Sequence, residues 1–224
     1  MHSNLYTIGS EAIPLLVIDD AVPEANTFRN YAIESCKEVF EEGLYPGFRC
    51  KTMPEYNRFL IELINHEIKQ AVSKFDAQFT PMQLASSYFS MVTKHPSELS
   101  LAQRIPHYDR PESGQLAVVH YLCDESHGGT SFYRHKTSGF EIVNPEREPK
   151  YLATLEKECL LAPPEAQYLS SDTPLFSLYH RVDAKFNRLI VYPSNCLHSG
   201  NIKQNFIPTM NPYEGRFTVT AFLE

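Results

Sequence analysis

From about Gln83 onward the chain is a succession of short aromatic and β-branched segments, separated by Gly, Pro, Asp and Ser. Residues of that kind pack well on a pleated surface, and the breakers between them stop each segment after a few positions. The pattern predicts strands at 85–93, 99–106, 115–123, 129–135, 175–183, 187–193 and 216–223, with Asp183-Ala-Lys-Phe-Asn187 as a hairpin connection. No helices alternate among these segments as a parallel sheet would require. A series of short strands without crossover helices folds as an antiparallel barrel or jelly roll.

The preceding residues have a different texture. Ile13 to Ile18 reads as a short buried strand, ended by Asp19-Asp20. Pro23-Glu24 suits a helix start, and Phe28, Tyr31, Ala32 and Cys36 continue at helical spacing, so a helix is expected over 23–41. Gly43, Pro46 and Gly47 break it. A second helix is expected from Pro54 to Phe75, with Leu60, Leu63, Ile64, Ile68, Ala71, Val72 and Phe75 as one apolar stripe. Glu62, His66, Lys69 and Lys74 fall off that stripe. Both helices need a surface to lie on, and a sheet built by the later residues supplies it.

The expected class is therefore mainly β with N-terminal helices (α+β), the helices packed on one sheet. Residues 1–224 read as a single domain: 1–82 are a strand and helical support, and 83–224 are the β core. Residues 138–174 interrupt the strand rhythm with five prolines and a helix near 146–158. An insertion of that length is more often a lid or binding loop than a plain connector.

A formal charge of -7 offers no field that would attract nucleic acid or anionic lipid. No run approaches the roughly 18 apolar residues of a membrane span. Ile13 to Ile18 lacks the cationic flank and cleavage site of a signal peptide. Cys36, Cys50, Cys123, Cys159 and Cys196 are odd in number and follow no CxxC spacing. They read as reduced thiols, so a cytoplasmic protein is expected.

His107-Tyr108-Asp109 presents an imidazole and a carboxylate two positions apart, hence on one side of a strand end. His198 follows the apolar strand Leu189 to Tyr192. Two imidazoles and one carboxylate hold non-haem Fe(II) on one face and leave positions open. Taken alone, an HxD pair is a weak signal.

The wider pattern strengthens it. His107-Tyr-Asp109, Gln115-Leu-Ala-Val-Val-His-Tyr121-Leu122, Gly128-Gly129-Thr130-Ser-Phe-Tyr, Leu197-His198-Ser199 and Gly215-Arg216-Phe-Thr218-Val-Thr220 follow in that order. Over about 83–224 the chain resembles the Fe(II)- and 2-oxoglutarate-dependent dioxygenases, in particular their prolyl-hydroxylase-like branch. The resemblance implies a double-stranded β-helix (jelly roll) with iron at its open end, held by His107, Asp109 and His198. It implies that Arg216 pairs with the C5 carboxylate of 2-oxoglutarate, and that Thr218, Thr220 or Tyr121 hydrogen-bonds the same group. The implied activity is hydroxylation of a small-molecule or peptide substrate.

Two features depart from that family pattern. His198 and Arg216 are 18 positions apart, which brings Lys203 and Arg188 into consideration as replacements. The 138–174 insertion implies an unusual substrate mouth. Tyr133, Arg134 and Arg104 are expected near the opening, with a surface ion pair as the alternative for the arginines. His120 alternates away from Tyr121 and reads as structural. The rival readings are a cupin-like metal enzyme without 2-oxoglutarate and a non-enzymatic β-sandwich binding module.

Overall fold

The computed structural model describes residues 1–41, 43–73 and 80–224. In chain order these form β1 (His2–Ile8), β2 (Ile13–Asp19), α1 (Ala25–Ser35), β3 (Gly47–Lys51), α2 (Pro54–Ser73) and β4 (Leu84–Val92). Then follow β5 (Leu116–Tyr121), β6 (Gly129–His135), α3 (Glu148–Leu161), β7 (Phe176–Asp183), β8 (Arg188–Pro193), β9 (His198–Asn201) and β10 (Phe217–Leu223). One sheet has seven strands in the order β1-β2-β8-β5-β10-β4-β3, and a second has three in the order β7-β6-β9. The paired strands run antiparallel.

Period-two alternation explains how the large sheet is covered on both faces. On β10, Phe217, Val219, Ala221 and Leu223 join Val118 of β5 and Leu189 and Val191 of β8 in a core capped by α1 and α2. Leu60 and Ile64 of α2 are fully buried there. The intervening residues Ala117, Tyr121, Ile190 and Tyr192 face the small sheet, where they meet Phe132 of β6 and Val182 of β7. The helices thus lie on one face of the large sheet and the small sheet on the other. Among the described residues no helix is long and apolar enough to cross a membrane.

Several expectations are corrected. Residues 99–106 contain no strand; Pro96–Glu98 and Leu101–Arg104 are 3-10 turns. Local bonds win over ladder pairing here: Glu98 Oε2 accepts from the His95 amide at 2.7 Å and Gln103 Oε1 accepts from the Ser100 amide at 2.9 Å. Helix α1 is shorter than 23–41, and Tyr31, expected on its apolar stripe, is 54% exposed. Strand β3 starts at Gly47, expected only as a helix breaker, and runs through residues to which no element was assigned, with Phe40 bridging back to its Arg49. Lys74 and Phe75 lie outside the described residues.

Cys36 and Cys50 form a disulfide, with Cα atoms 5.7 Å apart, which corrects the expectation of five reduced thiols. Cys123, Cys159 and Cys196 are free and buried. The pair escapes sequence reading because it joins the end of α1 to the unexpected β3.

The insertion packs through Tyr151, Leu155 and Cys159 of α3 against Tyr133, Phe176 and Leu197. Fully buried Glu141 anchors its start, accepting hydrogen bonds from the Ser10 and Glu11 amides and from Arg134.

Candidate metal centre

His107 and His198 face each other across an isolated antiparallel bridge. Each amide donates to the other's carbonyl, at 2.9 and 2.8 Å, so the backbone holds the two side chains together. Their ring centroids are 4.3 Å apart. The Asp109 amide donates to Ser194 O at 2.8 Å, which fixes the third residue against the end of β8. His107 therefore lies beside β9 in a bridge and Asp109 follows in a bend, with no strand at 99–106 leading to them.

The ligand-capable atoms of His107, Asp109 and His198 all lie within 4.8 Å of one another. His107 Nε2 is 3.8 Å from Asp109 Oδ1, and His198 Nε2 is 3.6 Å from Asp109 Oδ2. Both separations are too long for hydrogen bonds. They are what remains when three donors point at a common centre without bonding each other.

Protonation favours the same use. His198 Nδ1 lies 3.0 Å from Cys196 O, which sets the tautomer with hydrogen on Nδ1 and the lone pair on Nε2. Burial pushes the His198 imidazole down to about 4. His107 is also held at about 4, by desolvation first and then by the neighbouring His198. Its side chain is 45% exposed, but that surface opens on a walled cavity, where desolvation still dominates. Burial raises the Asp109 carboxyl, and the charges of His107 and Arg49 offset only part of this. Two neutral imidazoles beside a desolvated acid form a donor set for a divalent cation.

The cavity has a volume of about 380 Å³, and the triad forms one part of its wall. Arg216, Thr218 and Thr220 form another, at the start of β10. Arg216 is only 5% exposed. Its Nη1 donates to His127 O at 3.0 Å and its Nη2 to Gly129 O at 2.7 Å. Among the described residues no carboxylate pairs with it.

This clasp depends on Gly128, whose φ is +94° and whose hypothetical Cβ would sit 1.6 Å from Asn201 O. Only glycine fits that close approach.

The other expected residues divide. The Tyr121 ring lies under the Arg216 guanidinium at 5.6 Å, but its hydroxyl bonds Thr130 Oγ1 at 2.6 Å. Thr130 lines the cavity and Tyr121 does not. Thr220 Oγ1 bonds Ser90 Oγ at 2.8 Å, and Thr218 Oγ1 is 3.5 Å from Ser90 O.

Arg188 is committed to Asp19 at 2.7 Å, and its guanidinium holds the Asp19 carboxyl down at about 2. Lys203 is exposed and away from the cavity wall. Tyr133, Arg134 and Arg104 do not line the cavity, which corrects their expected position near the opening. Tyr133 is fully buried, Arg134 pairs with Glu141, and Arg104 donates to Leu99 O at 2.9 Å. The insertion contributes Tyr168 to the wall, and that hydroxyl donates to Lys94 O at 2.7 Å.

His120 points into the helix-side core and stacks with Phe28 and Tyr56. Sequence reading missed Tyr45 and Arg49, both on the cavity wall. Their only signal was the Phe48-Arg49-Cys50-Lys51 alternation, obscured by the glycine and proline before it.

The chain belongs to a family described as "Family of unknown function (DUF6445)", whose model matches residues 1–223. No curated protein matches it. Among solved structures it is similar to HygX from Streptomyces hygroscopicus. The form with nickel and 2-oxoglutarate bound aligns with a TM-score of 0.52 at 13% identity, over 97% of this chain and 83% of HygX. The form with nickel, 2-oxoglutarate and hygromycin B bound gives 0.52 at 14% identity, over 97% and 83%. The iron-bound form gives 0.50 at 13% identity, over 97% and 82%. At these identities the likeness is one of fold.

Proposed function

We propose that this member of the DUF6445 family is an Fe(II)- and 2-oxoglutarate-dependent oxygenase, built on a double-stranded β-helix, that hydroxylates a small molecule or peptidyl side chain. One observation carries the reading. His107, Asp109 and His198 converge within 4.8 Å on a cavity whose wall also holds a buried arginine with no acidic partner among the described residues. HygX with iron bound, and with nickel and 2-oxoglutarate bound, supports the choice of metal and co-substrate. HygX with hygromycin B bound supports a small-molecule substrate. The narrower affiliation with prolyl-hydroxylase-like enzymes rests on the sequence motifs alone. Residues 1–224 act in this reading as one domain, its N-terminal helices supporting the sheet that carries the site.

The residues fit the groups the reading requires. The two Nε2 atoms and one Asp109 oxygen would hold Fe(II) on one face. Arg216 would take the far carboxylate of 2-oxoglutarate, since a guanidinium meets a carboxylate with two parallel bonds. Thr218 and Thr220 line the same wall, and Tyr121 keeps Arg216 and Thr130 in position from behind. When bound, ferrous iron would supply the oxidising chemistry with dioxygen as oxidant and 2-oxoglutarate as the two-electron co-reductant, one oxygen atom of O2 leaving in succinate beside carbon dioxide and the other entering the substrate C–H bond as a hydroxyl. The chain's own part is to orient the keto acid and substrate and to exclude water with the apolar wall of Val92, Tyr168, Tyr192 and Ile202.

A cupin-like enzyme would not need Arg216, and a binding module would not need His107. Anaerobic titration of the Fe(II)-loaded protein with 2-oxoglutarate separates the three. The wild type develops the visible charge-transfer band, His107→Ala does not, and Arg216→Ala needs at least about tenfold more keto acid, the loss of one charge-assisted bond. A band of equal strength in all three rejects the assignment.

A further inference from the structure

Arg49 is a charged residue of the described cavity wall to which the proposed oxygenase gives no role. It stands in register with Ser90 of β4, which stands in register with Thr218 of β10. Directly paired residues project to the same face of a sheet, so Arg49 shares the cavity face with Thr218. Its guanidinium carbon lies 4.7 Å from the Tyr45 ring and 5.4 Å from the Tyr88 ring. Two aromatic faces hold the cation in a fixed orientation. Its Nε is buried and has no hydrogen-bond partner, and among the described residues no carboxylate pairs with the side chain. A buried donor in that state costs on the order of 1–3 kcal/mol, which a bound acceptor would relieve.

The charge balance shows what acceptor is missing. Asp109 is the only acid on the described cavity wall. Together with the two carboxylates of 2-oxoglutarate it balances the ferrous ion and Arg216. The cavity is then neutral without Arg49, whose charge faces it uncompensated. We propose that Arg49 is a specificity residue that binds the carboxylate of the primary substrate, an amino-acid-sized small molecule. This rests on the oxygenase reading. A carboxylate is favoured because it matches the fork of a pre-oriented guanidinium. A small molecule is favoured because about 380 Å³ must seat the keto acid as well.

The test uses the full chain, loaded anaerobically with Fe(II) and 2-oxoglutarate. The free proteinogenic L-amino acids and inorganic phosphate are added one at a time. Binding is read by calorimetry and by perturbation of the visible band. At least one amino acid is expected to bind saturably. Arg49→Met should weaken it about tenfold or more and Arg49→Lys by less, while the 2-oxoglutarate requirement of either variant stays within about twofold of wild type. The retained band reports an intact site in each variant.

The proposal is overturned if no amino acid binds the wild type, if only phosphate binds, or if Arg49→Met binds the amino acid as well as wild type does. It is also overturned if the Arg49 variants lose 2-oxoglutarate as Arg216→Ala does, since Arg49 would then belong to the co-substrate. Absence of the band from the wild type is a different failure, that of the oxygenase reading itself.

Discussion

His198 owes its free Nε2 lone pair to a backbone carbonyl. Cys196 O takes the Nδ1 hydrogen, and Nε2 is left free toward Asp109. His120 shows the opposite fate for the same residue type. It is fully buried, with Tyr56 Oη 3.0 Å from Nδ1 and Asn187 Oδ1 3.1 Å from Nε2. Those partners leave it no free lone pair, and burial holds it at about 4. In the unfolded chain it titrates near 6.5. The unfolded state therefore binds more protons between these values, and stability falls as pH drops from about 6.5 to 4. Full development of that difference is worth about 3 kcal/mol. Denaturant unfolding of the metal-free protein across this range should show a shallower pH slope for His120→Gln than for wild type; parallel slopes would refute the account. The two histidine roles were separable in sequence because strand alternation sends His120 and Tyr121 to opposite faces.

At the scale of elements, β5, β8 and β10 were legible because both faces are buried against different partners, which gives long apolar runs. Strand β1 was not, since its exposed edge position asks for no apolar pattern. Strand β3 was hidden by Gly43, Pro46 and Gly47, and β9 is only four residues long. Residues 99–106 had strand-like composition, but side-chain caps bent them into 3-10 turns. Helix α2 was legible from its stripe, and its role is supportive. Ile64→Ala should cost about 2–5 kcal/mol of stability by opening a cavity under the helix. Metal affinity should be unchanged, because Ile64 lies on the far side of the large sheet from the triad. Thermal unfolding and Fe(II) binding on the same samples check this; metal loss at full stability would contradict it.

Over the whole molecule, a chain of net charge -7 encloses a cavity with two guanidiniums that have no acidic partner among the described residues. The likeness to HygX spans 97% of the chain, so the shared fold extends beyond the strands of residues 83–224 to the N-terminal residues. The convergence of His107, Asp109 and His198, and the place of Arg216 on the same cavity wall, were legible because each sits in an ordered motif. Arg49 was not, since its place on the cavity wall comes from its sheet register with Ser90 and not from any motif. Oxygenase chemistry and the proposed substrate site both require the triad to hold one ferrous ion. Anaerobic Fe(II)-binding stoichiometry tests this most directly, measured on wild type and on His107→Ala, Asp109→Ala and His198→Ala. The account predicts one tightly bound ion per wild-type chain and its loss in each variant; full stoichiometry in any folded variant would contradict it.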